Sequence, residues 1–328
     1  MGAPRLSIVM PTMRRREELA QALAALEDQT LPRGEYELIL AEDAFADAGG
    51  PHPEGPDVTV VRGAVPGASA ARNAGWRAAR APVVLFVDDD IRAPRDLASR
   101  HLAAQRRGNA VLGHVRWAPE LEVTPFMHWL DRGVQFDWRT IRSEGPKWWH
   151  FYTANASVAR ELLERVGGFD ELALPFLYED LDLARRMSDH GMALVYEPGA
   201  VADHLVPVTV ESFEARLPRL AASEFAFTRR WPEADAYFRD LFATYVGGAT
   251  ASGRGTRLIR FVPRRVPKLG HYVWHSADAY YCQRLGPVFL AEWERLASAQ
   301  DDPFEDLGHA SVVRRGGVSA GGLEAADA

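Results

Sequence analysis

A single cysteine, Cys282, is all the thiol that this sequence of 328 residues offers. One thiol excludes an internal disulfide, and no cluster of Cys and His has the spacing of a zinc site. A reducing compartment fits that composition. Positive charge is also short. Lys and Arg number 38 against 45 Asp and Glu, a net charge of −7, so the chain as a whole is not built to coat nucleic acid. No apolar run approaches the roughly 18 residues that cross a bilayer. Residues 1–7 lack a cationic stretch followed by an apolar one, so no secretory leader is expected. These absences predict a soluble, cytoplasmic protein, attached at most to the inner face of a membrane.

What is present is ordinary for a globular chain. Hydrophobic residues make up 47% and charged residues 25%. The length allows roughly two domains of about 150 residues. In the first third, short apolar runs alternate with helical patterns. Strands are expected at residues 6–10, 36–41, 58–62, 82–87 and 110–115, and helices at 14–29, 69–79 and 95–107. Ser69 is the expected N-cap of the second helix. Further on, helices are expected at 160–166 and 179–190, followed by a strand at 192–197 closed by Pro198-Gly199. From residue 210 to about 299 the pattern is mostly helical, and the Gly/Ala-rich end from residue 311 reads as a disordered tail. Strands alternating with helices predict an α/β fold with a mostly parallel central sheet and a C-terminal helical extension. The expected divisions are 1–116, 117–209 as the second half of the same domain, 210–310, and 311–328. Ligands of such sheets bind beyond the carboxyl ends of the strands, which places Pro11, Glu42, Asp43 and Asp88 to Asp90 on one rim.

Three adjacent carboxylates, Asp88-Asp89-Asp90, end the apolar run of the fourth strand. They repel one another unless a cation neutralises them, and hard oxygen ligands suit Mg²⁺ or Mn²⁺. In an extended segment Asp88 and Asp90 share a face and Asp89 points away. The plainer reading is a solvated turn. A second acidic group, Glu179-Asp180-Leu181-Asp182, opens a helix, where the macrodipole already favours negative charge. A carboxylate there is also placed to act as a general base if it reaches a substrate hydroxyl. His204 is a third candidate, either a packed histidine or a metal ligand.

Taken in order, these pieces resemble the inverting family 2 glycosyltransferases of the GT-A fold. Leu6-Ser7-Ile8-Val9-Met10-Pro11-Thr12 is similar to the family's first strand, and Leu38-Ile39-Leu40-Ala41-Glu42-Asp43 to its second. Residues 67–75, Gly-Ala-Ser-Ala-Ala-Arg-Asn-Ala-Gly, resemble its Arg-Asn-x-Gly helix, and Phe86-Val87-Asp88-Asp89-Asp90 its DXD element. Gly167-Gly168-Phe169-Asp170-Glu171 and Glu179-Asp180-Leu181-Asp182 resemble later motifs. Ala44-Phe45 departs from the family's Gly-Ser. The likeness spans residues 5–205. It implies a hexosyltransferase-like enzyme that uses a nucleotide sugar, a UDP-sugar first, and Mg²⁺ or Mn²⁺. It implies that Asp43 contacts the base, Pro11 and Thr12 line the base and ribose pocket, and Arg72 lies near the diphosphate or supports the acidic loop. Asp88 would contact ribose or sugar, Asp90 and His204 the metal, Glu179 the sugar or acceptor, and Asp180 would be the general base.

Five of nine tryptophans fall between Trp117 and Trp149. They are either core for a small second layer or faces for an acceptor sugar. Trp148, Trp149 and Asn155 are the residues assigned to the acceptor side. Residues 254–268 hold six basic residues and no acid, interleaved with apolar ones, a pattern that suits either a solvated face or contact with anionic lipid. The acceptor remains open among glycan, lipid-linked, peptide and small-molecule classes. The competing readings are a non-catalytic nucleotide-sugar or glycan-binding module and a sugar-nucleotide pyrophosphorylase. The latter would carry a Gly-rich phosphate loop near its start, and none follows Met10; a P-loop enzyme is excluded on the same ground.

Overall fold

The computed structural model describes residues 3–13, 16–46, 58–131, 133–248, 253, 255–259, 261 and 269–299. Eight strands form one sheet: β1 Leu6–Thr12, β2 Tyr36–Glu42, β3 Val58–Arg62, β4 Val83–Val87, β5 Ile91–Arg92, β6 Ala110–Trp117, β7 Asn155–Ala159 and β8 Leu194–His204. Their order across the sheet is β3-β2-β1-β4-β7-β6-β8-β5. Only β7 and β5 run against the rest. The helices are α1 Arg16–Glu27, α2 Ala68–Ala78, α3 Leu97–Ala104, α4 Pro125–Leu130, α5 Trp138–Glu144, α6 Arg160–Val166, α7 Glu179–Asp189, α8 Val210–Glu214, α9 Leu217–Arg230, α10 Tyr237–Tyr245 and α11 Leu269–Ser298. The α/β class, the mostly parallel sheet and the C-terminal helices agree with the sequence.

The central strands read as unbroken apolar runs because both faces of the sheet are covered. Alternate residues go to opposite sides. Leu6, Ile8, Met10, Leu38, Leu40, Leu85 and Val87 pack with α1 and α3, whereas Val9, Ile39, Ala41, Val84 and Phe86 pack with α2, α6 and α7. A third cluster joins α4 to α9, α10 and α11. Trp129 belongs to it, fully buried, with its indole N–H donating to Asp278 of α11. That tryptophan is core.

Several expectations are corrected. The strand expected to stop at Pro198-Gly199 runs on to His204. Its pairing with β6 slips between Leu112 and His114, so residues 197–200 bulge, and a proline is tolerated where no ladder N–H is needed. This extension is what carries His204 to the rim. Strands β5 and β7 were not anticipated. The N-cap of α2 is Gly67, not Ser69, whose hydroxyl donates instead to the carbonyl of Leu174. Residue 116 lies inside β6, and one sheet runs through residues 1–116 and 117–209, which were expected to be two halves of the same domain. Among the described residues no helix is long and apolar enough to cross a membrane. The tail 311–328 and most of the basic segment 254–268 lie outside the described residues.

Candidate active site

The carboxyl ends of β1, β2 and β4 face the first turns of α2 and α7. Arg72, on α2, ties the two acidic groups together. Its Nη2 donates to Asp88 Oδ1 at 2.8 Å and its Nη1 to Glu179 Oε1 at 2.7 Å. Arg72 and Glu179 are both buried. Burial alone would weaken the guanidinium's hold on its proton, but the charges of Asp88 and Glu179 outweigh it and raise the pKa. Arg72 thus bridges Asp88 and Glu179.

Two other motifs turn out to be one contact. The Asn73 amide donates to Phe169 O and to Glu171 Oε1, while its Oδ1 accepts from Phe169 N and from Trp76 Nε1. Gly168 sits against this pair at φ +76°, where a Cβ would lie 2.5 Å from Asn73 Oδ1. Gly67, at φ +128°, has the same kind of constraint, since a Cβ there would meet Pro175 O at 2.6 Å. The segment 168–178 is therefore laid down over α2, and it delivers α7 to the rim.

The backbone immediately before α7 is strained. Leu177 and Tyr178 are consecutive non-glycine residues at φ 53° and 58°. Each such residue costs about 1–3 kcal/mol and persists only when its surroundings hold it. Asp180 follows two residues later, part-exposed, its Oδ1 accepting from Leu181 N. Burial of the carboxyl, then the charge of Glu179, push it up to about 7, with Arg72 pulling the other way. Burial raises Glu179 as well, and its second oxygen has no partner. A carboxyl near 7 is matched to taking a proton at neutral pH.

Asp90 and His204 face each other, with Oδ2 and Nε2 3.8 Å apart. The sheet brings them together, since β5 pairs with the end of β8 and Leu205 N donates to Asp90 O. Among the described residues no group of three or more His, Cys, Asp or Glu is placed to hold a metal by itself. The pair nevertheless fits part of a site. Two bonds of about 2.1 Å to one Mg²⁺ span at most about 4.2 Å, and such ions keep waters and substrate phosphates as further ligands. The other imidazole nitrogen of His204 is buried without a partner.

The remaining candidates fall in different places. Asp43 is buried on the rim, but its carboxylate accepts from Phe45 N and Gly67 N at 2.8 and 2.7 Å, which fixes the turn after β2. Pro11 lies in β1, which runs to Thr12. The Thr12 hydroxyl donates to Asp89 Oδ2 at 2.7 Å, so Asp89, expected to point away, is locked to β1. Trp148 is part-buried against the α2/α7 core, and Trp149 stands against it edge-on, 44% exposed. Asn155, assigned to the acceptor side, sits fully buried in the sheet. Its amide donates to His114 O and Ala200 O, and its Oδ1 meets His101 Nε2. Both polar atoms of that side chain are thus spent, the amide on the β6–β8 bulge and the oxygen on α3. The sequence reading gave Tyr178 no role and missed Glu224; the two hold the turn before α7. Its only available signal was a buried glutamate on the apolar face of α9.

Residues 7–167 match the family model described as glycosyl transferase family 2. The chain is 25% identical over 226 residues to a probable glycosyltransferase, YdaM, of Bacillus subtilis (strain 168), covering 63% of this chain and 52% of that protein. It is 26% identical over 232 residues to validoxylamine A glucosyltransferase of Streptomyces hygroscopicus subsp. jinggangensis (strain 5008), covering 58% and 53%. The chain thus spans about half the length of the curated relatives it matches. A solved structure of mannosyltransferase PcManGT from Pyrobaculum calidifontis, in complex with GDP-Man and Mn²⁺, aligns at TM-score 0.51 and 20% identity over 96% of this chain and 81% of that one. That likeness concerns the fold, which is GT-A. Residues 7–167, which hold the rim residues Asp43, Arg72 and Asp88, are thus a match to glycosyl transferase family 2.

Proposed function

We propose that the chain transfers a hexosyl group from a nucleoside diphosphate sugar, a UDP-sugar first, to an acceptor hydroxyl with inversion. The observation that carries this reading is the double ion pair of Arg72, which brings Asp88 of the DXD element and Glu179-Asp180 onto one rim. Asp90 and His204 would hold a divalent cation, Mg²⁺ or Mn²⁺, together with the donor's phosphates. When bound, that cation supplies Lewis-acid stabilisation of the charge that grows on the leaving diphosphate.

This chain's residues do the rest. Asp88, held by Arg72, is free on its second oxygen side to meet the donor's ribose or sugar. Pro11, Thr12 and Asp43 border the base and ribose. Asp180, as carboxylate, accepts the proton of the attacking hydroxyl. One displacement breaks the bond from the anomeric carbon to the diphosphate, forms the new glycosidic bond and inverts the centre. Glu179 stays bound to Arg72 and keeps its charge beside Asp180, which sustains that group's basicity. Trp149 offers an exposed ring next to α7 for an acceptor sugar.

The test is a panel of UDP-, GDP- and dTDP-sugars with Mg²⁺ or Mn²⁺, read by thermal shift and by release of nucleoside diphosphate. The product's anomeric configuration is then read by NMR. A metal-dependent shift and diphosphate release are expected with one donor class. Absence of both across the panel would sink the reading, and retention at the anomeric carbon would remove Asp180 from its role.

A further inference from the structure

A cleft of about 510 Å³ opens beside the carboxylate rim, between the end of β6 and α5. Trp117 and Trp138 form its apolar walls, and Arg116, Arg139 and Arg142 bring charge to it. It adjoins the Asp90–His204 pair directly, because the Trp117 ring packs edge-on against the His204 ring at 5.2 Å. A molecule in the cleft therefore lies one side chain away from the proposed metal ligands.

Two of the three guanidinium charges there have no ion-pair partner among the described residues. Arg116 is paired with Asp203. Arg139 and Arg142, three residues apart on one face of α5, have no carboxylate partner among the described residues. The only recorded polar contact of Arg142 is with the His114 ring, at 3.4 Å. That ring is neutral. Burial first, then the charges of Arg142 and Arg116, hold its pKa down to about 4. The one carboxylate on the wall, Asp131, accepts from Trp117 Nε1 of the same wall at 2.8 Å and pairs with neither Arg139 nor Arg142; burial pushes its pKa up to about 6, which weakens the charge it sets against an anion. Trp138, 7% exposed, keeps its indole N–H buried with no acceptor. The cleft thus combines two aromatic walls and two guanidinium groups without an ion-pair partner. Flat apolar walls suit a sugar ring, and guanidinium forks suit a planar or tetrahedral oxyanion.

We propose that this cleft receives the acceptor, and that the acceptor carries an oxyanion, bound by Arg139 and Arg142. The proposal rests on the glycosyltransferase reading for the word acceptor, but the site itself is a matter of binding. Phosphate and carboxylate share the required chemistry, and the experiment separates them.

Isothermal titration calorimetry of the full chain, with UDP and Mn²⁺ present to fill the donor side, uses three probes: glucose 6-phosphate, glucuronate and glucose. Either anion is expected to bind about tenfold or more tightly than glucose, as charge-assisted hydrogen bonds to arginine require. The tighter of the two identifies the oxyanion. The doubly substituted Arg139→Gln, Arg142→Gln protein is expected to lose that advantage and to keep its thermal shift with UDP and Mn²⁺. No heat with either anion at millimolar concentration, glucose binding equally well, or an unchanged anion affinity in the double variant would each overturn the proposal. Failure of the wild-type chain to respond to any nucleotide sugar would strike at the glycosyltransferase reading instead, and would leave the anion result standing.

Discussion

The Tyr178 phenol donates a 2.6 Å hydrogen bond to Oε1 of Glu224, and so ties the strained turn before α7 to the C-terminal helices. Glu224 is fully buried on α9, and its carboxylate also accepts from Phe238 N and Arg239 N, at the start of α10. Its neighbour Ser223 donates to Phe176 O at 2.6 Å. The Tyr178 ring packs on Phe227 of the same helix. Three contacts from one helix thus hold two consecutive left-handed residues, and Asp180 takes its position from them. The helical extension after residue 210 is part of the machinery that orients the rim.

Tyr178→Phe removes one donor from this buried carboxylate and keeps the ring. A loss of about 1–3 kcal/mol of stability is expected. Turnover should fall with it, because the turn relaxes towards ordinary backbone angles. Urea unfolding and diphosphate release, measured on the same preparation, check both. Wild-type values for both would mean that the turn holds itself.

Asp180→Asn keeps the size of the side chain and abolishes its basicity. Turnover should drop by about 10² to 10⁴-fold, the usual worth of a general base. Donor affinity should hardly change, because the neighbouring contacts of Arg72 remain. Titration of the donor by thermal shift separates the two quantities. Turnover within a few-fold of wild type would remove Asp180 from the mechanism.

The pH profile follows from the same group. Asp180 is pushed up to about 7, and only its ionised form accepts a proton, so kcat/KM should rise with pH and level off above about 7. Glu179 is a main cause of the rise in that pKa, after burial. Glu179→Gln removes its charge and leaves Arg72 less neutralised, and both effects lower the Asp180 pKa. The acid limb should therefore move to lower pH in the variant that retains activity. A limb that stays in place would show that burial alone sets the value.

Asp90→Ala and His204→Ala should each abolish the dependence of donor binding on Mn²⁺. A donor present at about 100 times its Kd stabilises the folded chain by about 2.7 kcal/mol, and this increment should shrink towards the metal-free value. Differential scanning fluorimetry with and without Mn²⁺ reads it. An unchanged metal effect in both variants would place the ion elsewhere on the rim.

Much of the fold was legible because the central strands are buried on both faces, and a run such as Val83–Val87 can only be a central strand or a buried helix segment. Strand β7 was not legible. It is five residues of Asn-Ala-Ser-Val-Ala, and it is held by its neighbours β4 and β6 rather than by its own pattern. The passage of β8 through Pro198-Gly199 was hidden because a bulge, visible only in its pairing with β6, absorbs the proline. At the site, Asp88, Arg72, Glu179 and Asp180 were readable from motif order. The bond from Thr12 to Asp89 was not, since adjacency of β1 and β4 creates it across 77 positions. Nor was the role of Glu224, whose partners come from two separate segments, the turn before α7 and the start of α10.

Gly168→Ala tests how tightly the Arg-Asn helix packs on the Gly-Gly-Phe-Asp segment. The new Cβ would lie 2.5 Å from both Asn73 Oδ1 and Trp76 Nε1, and these two atoms are already bonded to each other. Asn73 has no room to yield, since its amide also holds Phe169 by both N and O. The left-handed backbone costs a further 1–2 kcal/mol, roughly, for any residue with a Cβ. Together with a broken buried hydrogen bond, a loss of about 3 kcal/mol is expected. Gly167→Ala is the control. Its φ is +81°, but nothing lies within 4 Å of its Cβ, so only the backbone cost applies. Equal urea midpoints for the two variants would show that the packing against Asn73 and Trp76 has slack, and that the left-handed turn alone accounts for the glycine pair.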